Sequence, residues 1–165
     1  MNRQFGLALA LLLPIVILAG NAWLHYQQRI AGESITFPIE GFDPRDLLSG
    51  HYLIYRIDYG INDNGNCPTS DIAASLCLKP ERRIYPADEL PQSCTQFIRG
   101  NCDSSARFIS GLERFYVPQQ YADILDEKVR NKQGKLVIAV DQSGNAGVVD
   151  LLINDRPWKE IVTEE

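Results

Sequence analysis

Apolar positions along this chain follow three different rhythms, and each predicts a different kind of element. From Phe5 to Leu24 the chain reads FGLALALLLPIVILAGNAWL, twenty residues without a charge. A helix rising 1.5 Å per residue over that length matches the ~30 Å hydrocarbon core of a bilayer. Pro14 falls inside the run, where membrane helices tolerate it, and Trp23 and Tyr26 follow at the far end, where headgroup-level aromatics settle. The expectation is one transmembrane span that retains its short tail inside and exports the rest. A cleaved signal peptide is the rival, with small residues at Gly20 and Ala22.

The second rhythm is alternation. Ile35–Ile39 alternates loosely, and His51–Asp58 (HYLIYRID) is rich in aromatic and β-branched residues, so both are strands. In the second, Tyr52, Ile54 and Arg56 share one face and Leu53, Tyr55 and Ile57 the other, which predicts a central strand covered on both sides. Lys135–Asp141 and Ala146–Ile153 form a hairpin around Gln142-Ser143-Gly144-Asn145, with a glycine where φ turns positive. Short strands are expected at Ala74–Lys79, Arg82–Tyr85, Thr95–Arg99, Ala106–Ile109 and Arg114–Val117, and a tail strand near Trp158–Val162. Residues 67–105 otherwise read as irregular, broken by Pro68, Pro80, Pro86 and Pro91.

The third rhythm is helical. Pro118 opens a segment in which Tyr121, Ile124, Leu125 and Val129 recur at helical spacing with charges between them, ending before Gly134. A single helical turn is expected where Asp43 caps Pro44-Arg45-Asp46-Leu47-Leu48 and Gly50 closes it. The predicted fold class is therefore α+β: one transmembrane helix, then a mainly antiparallel sheet domain with one principal helix near 118–131. The domains are a tail and span (1–30), a short linker (31–34) and an extracytoplasmic domain (35–165).

Composition narrows the partners. With 22% charged residues, a net charge of −5 and no basic cluster longer than Arg82-Arg83, the chain lacks the footprint of a nucleic-acid binder. Cys67, Cys77, Cys94 and Cys102 lie within one stretch of the exported part, and an even count there reads as disulfides. Three pairings are open, with the sequence-local one (Cys67 with Cys77, Cys94 with Cys102) favoured. A zinc site is the rival, but no CxxC occurs and His25 and His51 are the only imidazoles. No metal and no cofactor are expected.

FDPRDLLSGHYLIYRID (residues 42–58), GLERFYVPQQYADILDEKV (111–129) and the hairpin LVIAVDQSGNAGVVDLLINDRPW (136–158) together resemble the GDYXXLXY family of membrane-anchored bacterial proteins. The residues carrying the likeness are Asp43, Pro44, Arg45, Asp46, Gly50 and Tyr52, then Glu113, Arg114 and Pro118. The name-giving motif is altered: His51 stands for its Asp, Tyr55 for its Leu and Ile57 for its last Tyr. The resemblance implies an N-terminal membrane anchor and an extracytoplasmic domain in the periplasm, and it supplies no activity to carry over.

Catalytic chemistry has one candidate set. Ser49, His51 and a carboxylate such as Asp46 would serve a hydrolase if their side chains converged. A Ser–Lys dyad needs a buried lysine, and Lys79, Lys128, Lys132, Lys135 and Lys159 all fall in polar surroundings. Glu113 beside Arg114 reads as an ion pair fixing register, and Tyr52, Tyr55, Phe108, Phe115 and Tyr116 as core. The leading expectation is a non-catalytic accessory or interaction module at the bacterial inner membrane. It would dock another inner-membrane or periplasmic protein through a sheet edge or groove near Tyr52–Tyr55.

Overall fold

A computed structural model describes residues 12–23, 32–41, 52–61, 67 and 71–163. Ten strands follow a first helix, α1, over residues 12–23. They are β1 (Glu33–Gly41), β2 (Tyr52–Ile57), β3 (Ile72–Lys79), β4 (Arg83–Pro86), β5 (Gln96–Cys102), β6 (Phe108–Ile109), β7 (Arg114–Tyr116), β8 (Gly134–Val140), β9 (Ala146–Ile153) and β10 (Arg156–Pro157). Two more helices, α2 (Gln119–Arg130) and α3 (Trp158–Thr163), flank the last strands.

The expected α+β fold with a membrane-crossing first helix is corrected by this architecture. The chain is mostly antiparallel β in two curled sheets, with three short helices among the described residues. None of these helices is long and apolar enough to cross a membrane. Among the described residues the apolar run is helical over 12–23, about 18 Å at 1.5 Å per residue, against the ~30 Å hydrocarbon layer. Leu12, Leu13, Ile15, Val16, Ile17 and Leu18 on α1 are exposed.

The six-stranded sheet runs β10-β9-β8-β1-β2-β7 and the four-stranded sheet β4-β3-β5-β6. In the first, β1 pairs with β8 from Glu33 to Pro38 and with β2 from Ile39 to Gly41. Phe37 and Ile39 are buried while Thr36, Pro38 and Glu40 are exposed, the pattern of a sheet packed on one face. On β2, Leu53 and Tyr55 are buried, Ile54 is half-buried and Arg56 is exposed, so burial on both faces does not hold. Helix α2 covers the buried side with Leu125 and Val129, one helical turn apart. Asp126 and Arg130 pair on its outer side.

Residues 67–105 are far from irregular. Register aligns Ile84, Leu76 and Ile98 in one row across β4, β3 and β5, all three buried, so this region builds its own core. The short strands expected at Ala74–Lys79, Arg82–Tyr85 and Thr95–Arg99 are present as β3, β4 and β5 with shifted ends, and β3 is buried on both faces from Ala74 to Leu78. The disulfides join Cys67 to Cys102 and Cys77 to Cys94, and not the sequence-local pairs. Ladder geometry decides this: Cys77 faces Phe97 on β5, just beyond Cys94, while Cys102 at the other end of β5 meets the entering chain.

The second sheet is an insertion. The chain leaves the first sheet at the end of β2, builds β3 to β6, and returns as β7, which pairs with β2 again. The sheets also touch where the β8–β9 hairpin docks on β5: Arg99 N–H donates to the Gly144 carbonyl at 2.9 Å. Gly144 has φ +80, as its turn requires, and a Cβ there would stand 2.3 Å from the Phe97 ring. Lys79 pairs with Glu33 across the same seam.

Other expectations shift in detail. Trp158–Thr163 is a helix rather than a tail strand, because Trp158 turns inward against Phe115 and Tyr121. Glu33 and Ser34, read as linker, already belong to β1. Tyr116 is 73% exposed and is not core. Residues Asp43–His51, with the expected turn, lie outside the described residues.

Candidate functional site

Where the insertion departs and re-enters, the two sheets leave a cleft of about 260 Å³. One bank comes from the end of β2 and the run after it (Arg56 to Tyr59, and Ile61). The other comes from Ala106 to Ile109 and Glu113, with Ile84 of β4 beneath. Both banks are fixed by the chain path described above, since the same strand sends the chain out and receives it back.

A hydrogen-bond chain closes the back of the cleft. Tyr59 Oη–H donates to Ser110 Oγ at 2.7 Å, and Ser110 Oγ–H donates to Glu113 Oε1 at 2.9 Å. Ser110 N–H donates to the same carboxylate oxygen at 2.8 Å, and Leu112 N–H donates to Ser110 Oγ at 3.2 Å. Tyr55 Oη–H donates to the Leu112 carbonyl at 2.6 Å, while Tyr55 N–H reaches the Glu113 carbonyl at 3.2 Å. The Tyr59 ring stands edge-on to Phe37 at 5.2 Å and to Phe108 at 5.5 Å, so one side chain belongs to both sheets.

Burial pushes the Tyr55 phenol well above its ordinary range, and the charge of Glu113 and the nearby Tyr59 push the same way. Burial also raises Tyr59; the Ser110 hydrogen bond lowers it and Glu113 raises it, with a strong upward net. Both phenols therefore stay protonated and act as donors. Ser110 Oγ uses its one proton on Glu113 and takes two donors in return, so it is an anchored hydroxyl rather than a poised nucleophile.

The rim carries charges of both signs. Arg107 grips Asp103 through Nε at 3.0 Å and Nη2 at 2.8 Å, and Asp58 Oδ1 accepts the Gly60 N–H at 2.8 Å. Arg82 Nη1 donates to the Tyr59 carbonyl at 3.0 Å and lies over the Phe37 ring. This set can hold an apolar or amphipathic segment by shape, with its rim charges balanced.

Of the residues singled out from sequence, Glu113 reaches the cleft, where its carboxylate accepts from the Ser110 N–H and Oγ–H. Arg114 lies on β7 opposite Ile54, and Pro118 is the N-cap of α2. Tyr52 sits on β2 opposite Tyr116, so the expected docking edge at Tyr52–Tyr55 is already taken by β7 and the Glu113 carbonyl. Asp43, Pro44, Arg45, Asp46, Ser49, Gly50 and His51 lie outside the described residues. All four cysteines are in disulfides. Among the described residues no group of three or more His, Cys, Asp or Glu is placed to hold a metal ion.

Sequence reading missed Tyr59 and Ser110. The signal for the first was available: Tyr55, Ile57 and Tyr59 continue one alternating face past Asp58. Nothing local marked Ser110, whose partners lie up to 51 positions away.

No curated protein and no solved structure matches the chain. The profile described as GDYXXLXY protein matches residues 14–151, which takes in β1 to β8 and most of β9, with the insertion and the cleft. The chain thus belongs to the GDYXXLXY family.

Proposed function

We propose that this protein is an extracytoplasmic interaction module of the bacterial envelope, which docks another protein at the cleft between its sheets. One observation carries the reading. The cleft is floored by Ile57, Ile61, Ile84 and Phe108, and the hydroxyls and carboxylates described around it are engaged in bonds within the fold. Such a surface recognises by shape and desolvation. The two disulfides support a working place outside the reducing cytosol.

In-cell crosslinking tests the reading. A photoreactive side chain at Ile109, on the cleft wall, is expected to give a reproducible protein adduct that the same probe at exposed Asp123 of α2 does not. Absence of a reproducible adduct from any exposed position of the domain would overturn it. Trapping thiols at lysis reports the compartment: all four cysteines should resist alkylation until a reductant is added.

A further inference from the structure

We propose that the cleft takes its partner as an added β-strand, an extended and uncharged peptide segment that pairs with the open edge of β2 at Ile57. This rests on the docking reading above and specifies how the docking is done.

The ladder sets which way each residue of β2 points. Asp58 N–H donates to the Pro38 carbonyl at 2.9 Å, and Arg56 faces Glu40 two positions back. In an antiparallel pair every second residue bonds to the partner strand. Arg56 and Asp58 thus turn their main chain toward β1, and Tyr55, Ile57 and Tyr59 turn theirs away. On that outer side Tyr55 N–H is taken by the Glu113 carbonyl, and the Tyr59 carbonyl is taken by Arg82. Between them, the Ile57 N–H and C=O meet no partner among the described residues. Continuing the register of Tyr55 with Glu113 would set Gly111 opposite Ile57, and there the returning chain turns (φ +82) instead of extending the ladder. A half-buried edge with one unmatched donor and acceptor, flanked by two occupied positions, is complementary to one residue of an extended peptide.

The surroundings favour the same occupant. The gap opens onto the apolar floor formed by Ile61, Ile84 and Phe108. The cavity, about 260 Å³, lies below the ~300 Å³ at which pockets begin to enclose drug-sized ligands. It suits one or two side chains of a peptide whose neighbours lie along the edge. At the rim, Arg56 and Arg107 balance Asp58 and Glu113, so a charged ligand gains nothing there.

Panning a random linear octapeptide library on the oxidised full-length protein tests the proposal. Enriched peptides with an apolar centre are expected. N-methylating one central amide of a selected peptide should weaken binding by about 10-fold or more, and its immediate neighbours by less than about twofold, because only alternate amides face the edge. Binding should shift and protect the Ile57 amide in a 15N spectrum. Ile57→Pro, which removes an N–H unused by the ladder, should abolish binding, and Ile61→Lys gives a second variant should that chain not fold. Failure to enrich any peptide, tolerance of N-methylation at every position, or self-association that itself protects the Ile57 amide would each overturn the strand-addition proposal. In-cell adducts that persist in Ile57→Pro overturn it while leaving the docking reading intact. Peptide binding with the expected N-methyl pattern but no in-cell adduct overturns the docking reading instead.

Discussion

The Ser110 hydroxyl serves three neighbours at once, so removing it and removing the Tyr59 hydroxyl have unequal costs. Tyr59→Phe deletes one donor and leaves Ser110 bonded to Glu113 and Leu112; a loss of about 1 kcal/mol in urea unfolding is expected. Ser110→Ala leaves the Tyr59 hydroxyl partnerless on a residue only 5% exposed and costs about 2–3 kcal/mol. A result in the opposite order would show that the hydroxyl finds another acceptor. The same two phenols should make the fold less stable at alkaline pH. Their folded pKa values are raised, so their stabilisation is complete below the unfolded value near 10 and is lost as pH climbs above it. Each phenol should contribute a downward slope of about 1.4 kcal/mol per pH unit in that range. Urea midpoints measured from pH 8 to 11 should fall steeply in the native sequence and flatten in Tyr55→Phe/Tyr59→Phe.

Among the elements, the β8–β9 hairpin has the clearest test. Gly144 combines a positive φ with a ring 2.3 Å from where a Cβ would be. Gly144→Ala should cost about 2 kcal/mol, more than a positive-φ glycine in open space, and less when Phe97→Leu clears the ring. Thermal melts of the single and double variants measure this coupling. The hairpin was legible in the sequence down to the sign of φ at its glycine, because a four-residue loop between two alternating runs is a local signal. Helix α2 was legible for the same reason. The short strands of the insertion were legible near their observed bounds, but their assembly into a separate sheet with its own core was not, because β3 is buried on both faces and a local pattern does not say which strands pair. The cysteine pairing failed with it, since pairing follows strand adjacency. The expected span over 5–24 fared differently, since no helix among the described residues is long and apolar enough to cross a membrane. Of the cleft, Glu113 was visible as one of a family-like pair, while Tyr59, Ser110 and the open edge at Ile57 depend on contacts that only the tertiary path creates.

For the molecule as a whole, the disulfides matter more than their number suggests. Cys67–Cys102 spans 35 positions and Cys77–Cys94 spans 17, and both lie within the inserted sheet. In the chain-entropy account each removes about 3–4 kcal/mol of unfolded-state freedom. Reduction should therefore lower the urea midpoint sharply, and the loss should register at the inserted sheet first. Hydrogen exchange under mild reductant is expected to release Leu76 and Ile98 before Leu136 and Leu151, all four of which are buried in the oxidised protein. Simultaneous release would mean that the two sheets unfold as one unit.

That the second sheet is strung between two hydrogen-bonded neighbours, β2 and β7, makes it cargo carried in the loop of a hairpin. The host strands pair with each other directly, through Tyr52 to Ile54 and Arg114 to Tyr116. The cleft is the mouth of that loop: its β2 bank belongs to the host and its other bank to the cargo. Exchanging the cargo would rewrite one bank and leave the other untouched, so the surface the cleft presents can change while the host strands stay as they are.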